Sequence, residues 1–151
     1  MIMDWIMMRN LYDPFKEVEN LGLKVQYIGF PDIDSILTKS TIFLRSNMND
    51  NEIRCVLACE LVRHSKAVFD SNGFCCCEFS KEEDALIRQE AADKLVSKRI
   101  FYKLLESPKQ ADEIAEELFI TKQVLIDYLV YCKNKIINQS KAMNKLEGIK
   151  V

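Results

Sequence analysis

The sequence predicts an α+β protein in which a small sheet precedes a mostly helical body. The alternating apolar residues Leu23, Val25 and Tyr27 are typical of a half-buried strand. Two more short strands are predicted at residues 33–37 and 41–44. In the rest of the chain apolar residues recur at helical spacing, in segments that begin at capping residues. We therefore expect the sheet to lie in the first third of the chain and to pack against helices.

Local signals mark where most of the predicted helices begin or end. Gly22 ends the first helix, and Asn49 with Glu52 three residues later forms a capping box for the second. Ser80 caps the third helix, and Pro108 lies in the break after the fourth. The predicted helices cover residues 8–21, 50–66, 81–97, 98–106, 110–118 and 121–137.

Length and composition are those of one globular domain. A chain of 151 residues can bury a sizeable core, and 48% hydrophobic with 29% charged residues excludes a disordered protein. The net charge of −2 gives no general attraction to nucleic acid or to anionic membranes. We expect a single domain over residues 1–151, with a core at 8–97, a helical extension at 98–137 and a flexible polar tail at 138–151.

Several features favour a cytoplasmic location. The apolar start from Met1 to Met8 is interrupted by Asp4, is too short to span a membrane and has no signal-peptide cleavage site. In a reducing compartment the six cysteines remain thiols. The triplet Cys75-Cys76-Cys77 is interpreted as an apolar loop segment, with a contribution to metal binding as the alternative.

The second helix, at residues 50–66, is apolar almost all round and is therefore expected to be buried. Glu60 lies inside it, and a buried carboxylate is costly unless it is paired, hydrogen-bonded or bound to a metal. One interpretation is a structural carboxylate that pairs with Arg63 or His64 on the same helix. The other is that Glu60 retains a role in a functional site.

The run Cys59-Glu60-Leu61-Val62-Arg63 resembles the HExxH helix of zinc peptidases with both metal-binding histidines replaced. In such a helix two imidazoles four residues apart bind zinc, and the glutamate activates the zinc-bound water. With its flanking segments the chain resembles the ImmA/IrrE family of metallopeptidase-like proteins over residues 8–131, in particular short forms from prophages and mobile elements. The other matching segments are Thr41–Arg45, Asn49–Cys55, Arg88–Val96, Ala111–Leu118 and Thr121–Leu129.

The resemblance implies a zincin-like fold with metal-ligand positions at Cys59, Arg63 and Glu90, and Glu60 at the general-base position. Arg63 places a fixed positive charge where a ligand belongs, so only two of the three positions can bind a metal. His64 is a possible substitute, but a one-residue offset turns it about 100° around an ideal helix. We therefore expect no bound cofactor, with zinc as the alternative.

Members of the ImmA/IrrE family act on transcriptional repressors, by cleaving them or otherwise relieving repression. The resemblance thus implies a catalytically impaired pseudo-metallopeptidase that binds a repressor or regulator of a phage or mobile element. We expect this partner to pair with an edge strand containing Ile42, Phe43 and Leu44. One alternative is an active or residual zinc metallopeptidase with a Cys-containing site that cleaves a repressor. Whether the chain is an enzyme stays open, with the replaced histidines weighing against it.

A second alternative is a DNA-associated regulator, because residues 111–129 resemble a helix-turn-helix. The small Ala115 suits a close approach of two helices. The first helix is acidic and the second offers only Lys122 and Gln123, whereas DNA contact needs a basic face and polar reading residues. We therefore expect this helix pair to serve packing rather than DNA binding.

Overall fold

The computed structural model describes the backbone of residues 11–149 and the side chains of residues 11–143. Within this part of the chain six helices and one three-stranded mixed sheet confirm the α+β prediction. The helices are α1 (Pro14–Asn20), α2 (Asp50–Lys66), α3 (Lys81–Leu95), α4 (Lys98–Leu105), α5 (Ala111–Glu117) and α6 (Lys122–Ile149). The strands are β1 (Lys24–Ile28), β2 (Ser35–Leu37) and β3 (Thr41–Arg45). The predicted start of the first helix at residue 8 lies outside the described residues.

The sheet has the strand order β1-β3-β2, so β3 is its central strand. It pairs in parallel with β1 and antiparallel with β2. The prediction of an exposed edge at Ile42, Phe43 and Leu44 is therefore wrong. Ile42 and Leu44 are fully buried. They form the apolar inward face of β3, which has a neighbouring strand on each edge and is covered by α2.

Helix α2 lies between the sheet and the remaining helices, which explains its apolar character all round. Leu57 and Leu61 face a core shared with the sheet, where they join Ile42. Ala58 and Val62 face a larger core shared with the later helices. Because α2 has two buried sides, a polar residue inside it must find its partners within the protein.

The predicted capping signals are confirmed. The Asn49 side chain accepts a hydrogen bond of 2.9 Å from the Glu52 amide at the start of α2. Ser80 and Glu83 form a reciprocal capping box at the start of α3. Gly22 has a φ of 69° after the end of α1, a left-handed conformation that glycine adopts without strain.

The pair α5–α6 packs as predicted. Ala115 and Tyr128 are buried, and the turn closes with the Ile120 amide donating to the Ala115 carbonyl at 3.1 Å. Phe119 has a φ of 58° in this turn, at the helix-terminating position where glycine is usual.

Helix α6 is longer than predicted. It continues to Ile149 and so includes residues 138–149, which were expected to belong to a flexible tail. No proline interrupts that stretch, and its first glycine is Gly148, so no strong helix breaker ends the helix earlier. None of the helices in residues 11–149 is both long enough and apolar enough to cross a membrane.

Candidate active-site cleft

A cavity of about 560 Å³ opens beside the polar side of α2. Its walls come from α2, α3, the start of β2 and the first turns of α6, so it brings together segments that are far apart in sequence. The lining residues are Asp34, Ser35, Met48, Glu52, Cys55, Val56, Cys59, Glu60, Arg63, Arg88, Thr121, Gln123, Val124 and Asp127. This cleft contains three of the residues singled out from the sequence: Cys59, Glu60 and Arg63.

Two carboxylates bind the Arg63 guanidinium at the floor of the cleft. Its Nη1 donates to Oε1 of Glu60 at 2.5 Å, one helical turn away on α2. Its Nη2 donates to Oδ1 of Asp84, at the start of α3, also at 2.5 Å. Glu60 is only 4% exposed, so its carboxylate has little contact with water and Arg63 is its direct partner. The interpretation of Glu60 as a carboxylate paired with Arg63 is confirmed for the contact itself.

The ion pairs continue from α3 to α6. Arg88 lies one turn after Asp84 and places its Nε 3.4 Å from Oδ2 of Asp84, an ion pair without hydrogen-bond geometry. Its Nη1 donates to Oδ1 of Asp127 at 3.1 Å. Gln123 donates to the same oxygen at 3.3 Å. The cleft floor is thus a chain of alternating charges across three helices.

Burial and these ion-pair partners shift the pKa values of Arg63 and Asp127. Burial alone would lower the pKa of Arg63, but the hydrogen bond to Asp84 and the charge of Glu60 raise it above the ordinary value. Burial raises the pKa of Asp127, and the nearby Arg88 charge opposes that rise. Arg63 is therefore a permanent cation, held where its charge has two direct counterions.

Cys59 lies one residue before Glu60 and lines the cleft as a thiol. Burial raises its pKa from 9.0 to about 12, although the neighbouring Arg63 charge acts in the opposite direction. A cysteine binds metal as the thiolate, so at neutral pH a metal ion would have to displace a firmly held proton. Cys59 is a weak ligand in this setting.

The two remaining candidate ligands lie outside the cleft. Glu90 is on the exposed side of α3, where it pairs with Lys66 at 3.3 Å. His64 Nε2 lies 3.0 Å from the Lys39 carbonyl oxygen, and its ring packs 5.3 Å from that of Phe69. The α3 carboxylate that binds Arg63 is Asp84, six residues before Glu90.

The donor set of the cleft does not fit a zinc ion. A zinc site needs about three protein donors that converge on one point, whereas Arg63 fills the space between Glu60 and Asp84 with a guanidinium. Within the part of the chain that the structure describes, no group of three or more His, Cys, Asp or Glu side chains is placed to hold a metal ion.

Sequence reasoning missed Asp84, Arg88 and Asp127. Asp84 and Arg88 have the i, i+4 spacing of a helical ion pair. This spacing could have predicted their contact from the sequence. Asp127 lies between the buried residues Leu125 and Tyr128, and an acid at such a position calls for a partner. The identity of that partner was not readable, because Arg88 and Asp127 are 39 residues apart in the chain.

The edge of the sheet beside the cleft belongs to β2 rather than to β3, and the loop between α2 and α3 bridges its far end at Thr38 and Phe74. The Arg45 amide donates to the Asp34 carbonyl, and the Thr38 amide donates to the Thr41 carbonyl, both at 2.9 Å. Because hydrogen-bonded pairs alternate along antiparallel strands, the backbone groups of Ser35 and Leu37 point away from β3. Ser35 also lines the cleft.

The cysteine triplet lies in the loop between α2 and α3. Cys75 forms an isolated antiparallel bridge with Phe69, and the Val68 amide donates to Sγ of Cys77 at 3.0 Å. Cys76 is exposed. The loop position agrees with the prediction for this segment.

Comparison with known proteins gives no match to this chain, either among protein-family models or among curated proteins and solved structures.

Proposed function

We propose that this protein is a catalytically impaired pseudo-metallopeptidase of the ImmA/IrrE type that binds a transcriptional repressor or regulator of a phage or mobile element. The observation that carries the proposal is the position of the Arg63 guanidinium between Glu60 and Asp84. Arg63 stands where the resemblance expects a zinc-binding histidine. Asp84 is the acidic residue that α3 brings to the same place.

Charge explains how such a site remains stable without a metal. Glu60 and Asp84 are two negative groups that converge on Arg63, and without a cation nearby they would repel each other. The guanidinium supplies a fixed positive charge and a planar set of donors that matches carboxylates. Arg88 adds a second positive charge beside Asp84. We propose that these arginine side chains neutralise the two carboxylates, as the metal ion does in a zinc peptidase.

The same arrangement removes the chemistry of a zinc peptidase. That chemistry needs a metal-bound water and a free carboxylate to activate it. Here the Oε1 atom of Glu60 accepts a hydrogen bond from Arg63, and the Cys59 thiol retains its proton. The cleft then keeps its shape and loses the means to activate water.

Binding is the function that such a cleft can still perform. The outward backbone groups of Ser35 offer hydrogen bonds to an extended segment of a partner, which would pair with the start of β2. Ser35 is also part of the cleft wall, so this segment would run along the cleft mouth. We propose that a repressor segment binds there and is not cut.

The test combines a binding assay with a cleavage assay. The purified protein is mixed with the transcriptional repressor encoded next to it, complex formation is measured, and both chains are weighed by mass spectrometry. The proposal expects a complex in which both masses are unchanged. Ser35→Pro removes an outward amide and should weaken the complex, whereas Ser35→Ala keeps the amide and should not. A repressor cut at a defined bond would show an active peptidase, and the absence of a complex would refute the binding function.

A further inference from the structure

A second concave surface lies on the other side of α3, away from the cleft. It is a groove of about 620 Å³ between α3 and the distal part of α6. Leu86 of α3 is 62% exposed at this groove and Ile137 of α6 is 39% exposed. Tyr131 and Ala142 complete its apolar lining. The proposed repressor-binding function makes no use of this surface.

Apolar side chains are also exposed on the flank of α6 that points away from the groove. Leu129, Ile136 and Met143 follow each other at intervals of seven residues, which places them in one line along a helix. They are 47%, 64% and 62% exposed. Large apolar side chains exposed on both flanks of one helix are typical of a protein-binding surface.

On the α6 side of the groove the charged residues are lysines, whereas α3 has Glu82 and Glu83 one turn before Leu86. Lys135 and Lys141 line the groove, and Lys133 lies between Leu129 and Ile136 on the exposed line. Between positions 127 and 147 the sequence has no Asp or Glu. A second copy of this helix would bring lysines close to lysines, whereas an acidic partner would complement them.

The shape of the groove limits which kind of partner can bind there. A groove with one wall from each of two helices accepts a third helix, whose apolar side chains pack between the ridges of the first two. A membrane presents no narrow ridge that could enter such a groove. We propose that the α3–α6 groove binds an amphipathic helix of another protein, apolar on the face that enters the groove and acidic along the flank that faces α6.

The proposal can be tested with the full chain and two synthetic probes. Both probes are fluorescently labelled amphipathic peptides of about 18 residues, long enough to form a helix on binding. They share a leucine face, and their flanks carry glutamate in one peptide and lysine in the other. We expect the glutamate peptide to bind at least about tenfold more tightly in fluorescence anisotropy, and its affinity to fall as salt is added.

Variants locate the binding and test the charge argument separately. Ile137→Asp should abolish binding of the glutamate peptide, whereas Ile33→Asp, at another exposed apolar residue (50% exposed), should leave it unchanged. Replacement of both Lys135 and Lys141 by glutamate should reverse the preference, so that the lysine peptide binds more tightly. Circular dichroism establishes that each variant is folded.

Three results would overturn the proposal. The first is equal affinity for the two peptides, or binding that Ile137→Asp leaves intact. The second is a dimeric mass in sedimentation that Ile137→Asp converts to a monomer, which would make the groove a contact between copies. The third is flotation with phosphatidylserine vesicles together with no peptide binding, which would make the surface a membrane contact. None of these results depends on whether a repressor binds the cleft.

Discussion

Two arginines on α2, Arg54 and Arg63, lie nine residues apart, and the protein satisfies them in different ways. Arg54 donates to backbone carbonyls: to Phe119 at 2.9 Å, to Tyr12 at 3.1 Å and to Leu95 at 3.1 Å. Burial lowers its pKa, and no carboxylate is hydrogen-bonded to it in the described part of the chain. Arg63 instead donates to two carboxylates.

This difference distinguishes Arg54, which has a structural role, from Arg63, which defines the candidate site. Two of the carbonyls around Arg54, those of Leu95 and Phe119, belong to the ends of α3 and α5, where helices leave carbonyls without partners in the helix. Any sequence that forms these two ends supplies those acceptors. Glu60 and Asp84 are side chains, and two converging carboxylates are also a place where a cation other than arginine can bind. The region around Arg63 is therefore the one that a change of residue can convert into a different site.

The largest effect is expected at Arg54. Arg54→Leu leaves several buried carbonyls without donors and disconnects the ends of α3 and α5 from α2. The free energy of unfolding should fall by about 3–5 kcal/mol in denaturant titration. The matched control is Arg45→Leu, because Arg45 pairs with the exposed Asp34 and such a pair contributes about 1 kcal/mol or less. Equal losses for the two variants would contradict the structural role of Arg54.

The next effect is expected at the pair Glu60–Arg63. Arg63→Met leaves the buried Glu60 without its counterion and should cost about 2–3 kcal/mol, and Glu60→Gln alone should cost about 1–3 kcal/mol. The double variant should cost less than the sum of the two, because each single change already breaks the same contact. Additive losses in a double-mutant cycle would show that the two side chains do not interact. Lys66→Met, on the exposed side of the same helix, is the control.

A smaller effect is expected from the pH dependence of stability at Cys59. The folded protein keeps the thiol proton to about pH 12, whereas the unfolded chain releases it near 9.0. A raised pKa in the folded state gives stability that is present below the lower value and is lost as the pH rises through this window. Cys59→Ala should therefore lose less stability than the parent between pH 9 and 11. Cys76→Ala, at an exposed thiol, should follow the parent curve, and identical curves for all three proteins would refute the shift.

The features that the sequence predicted correctly are those that depend on residues close together in the chain. The capping signals at Asn49 and Ser80, the turn at Gly22 and the burial of Glu60 beside Arg63 are all set within a few positions, and each agrees with the structure.

What the sequence did not predict depends on distant pairing or on the rotation of a helix. The central place of β3 results from two strand pairings that no local pattern specifies. Asp84 and Glu90 lie on one helix, and only its packing against α2 decides which of them faces the cleft. The contact of Arg88 with Asp127 joins two helices that meet only in the folded protein.

We propose that the Arg63 guanidinium takes the place of a metal ion beside Glu60 and Asp84. The most direct test is the zinc content per chain, measured by mass spectrometry of the metal after equilibration with zinc. The parent protein should bind well under one zinc, and the variant with both Cys59→His and Arg63→His should bind about one.

Adding Asp84→Asn to that double variant should abolish the bound zinc, whereas adding Glu90→Gln should not. One zinc per chain in the parent, lost on Cys59→Ser, would contradict the claim. A double histidine variant that is folded and binds no zinc would contradict it as well.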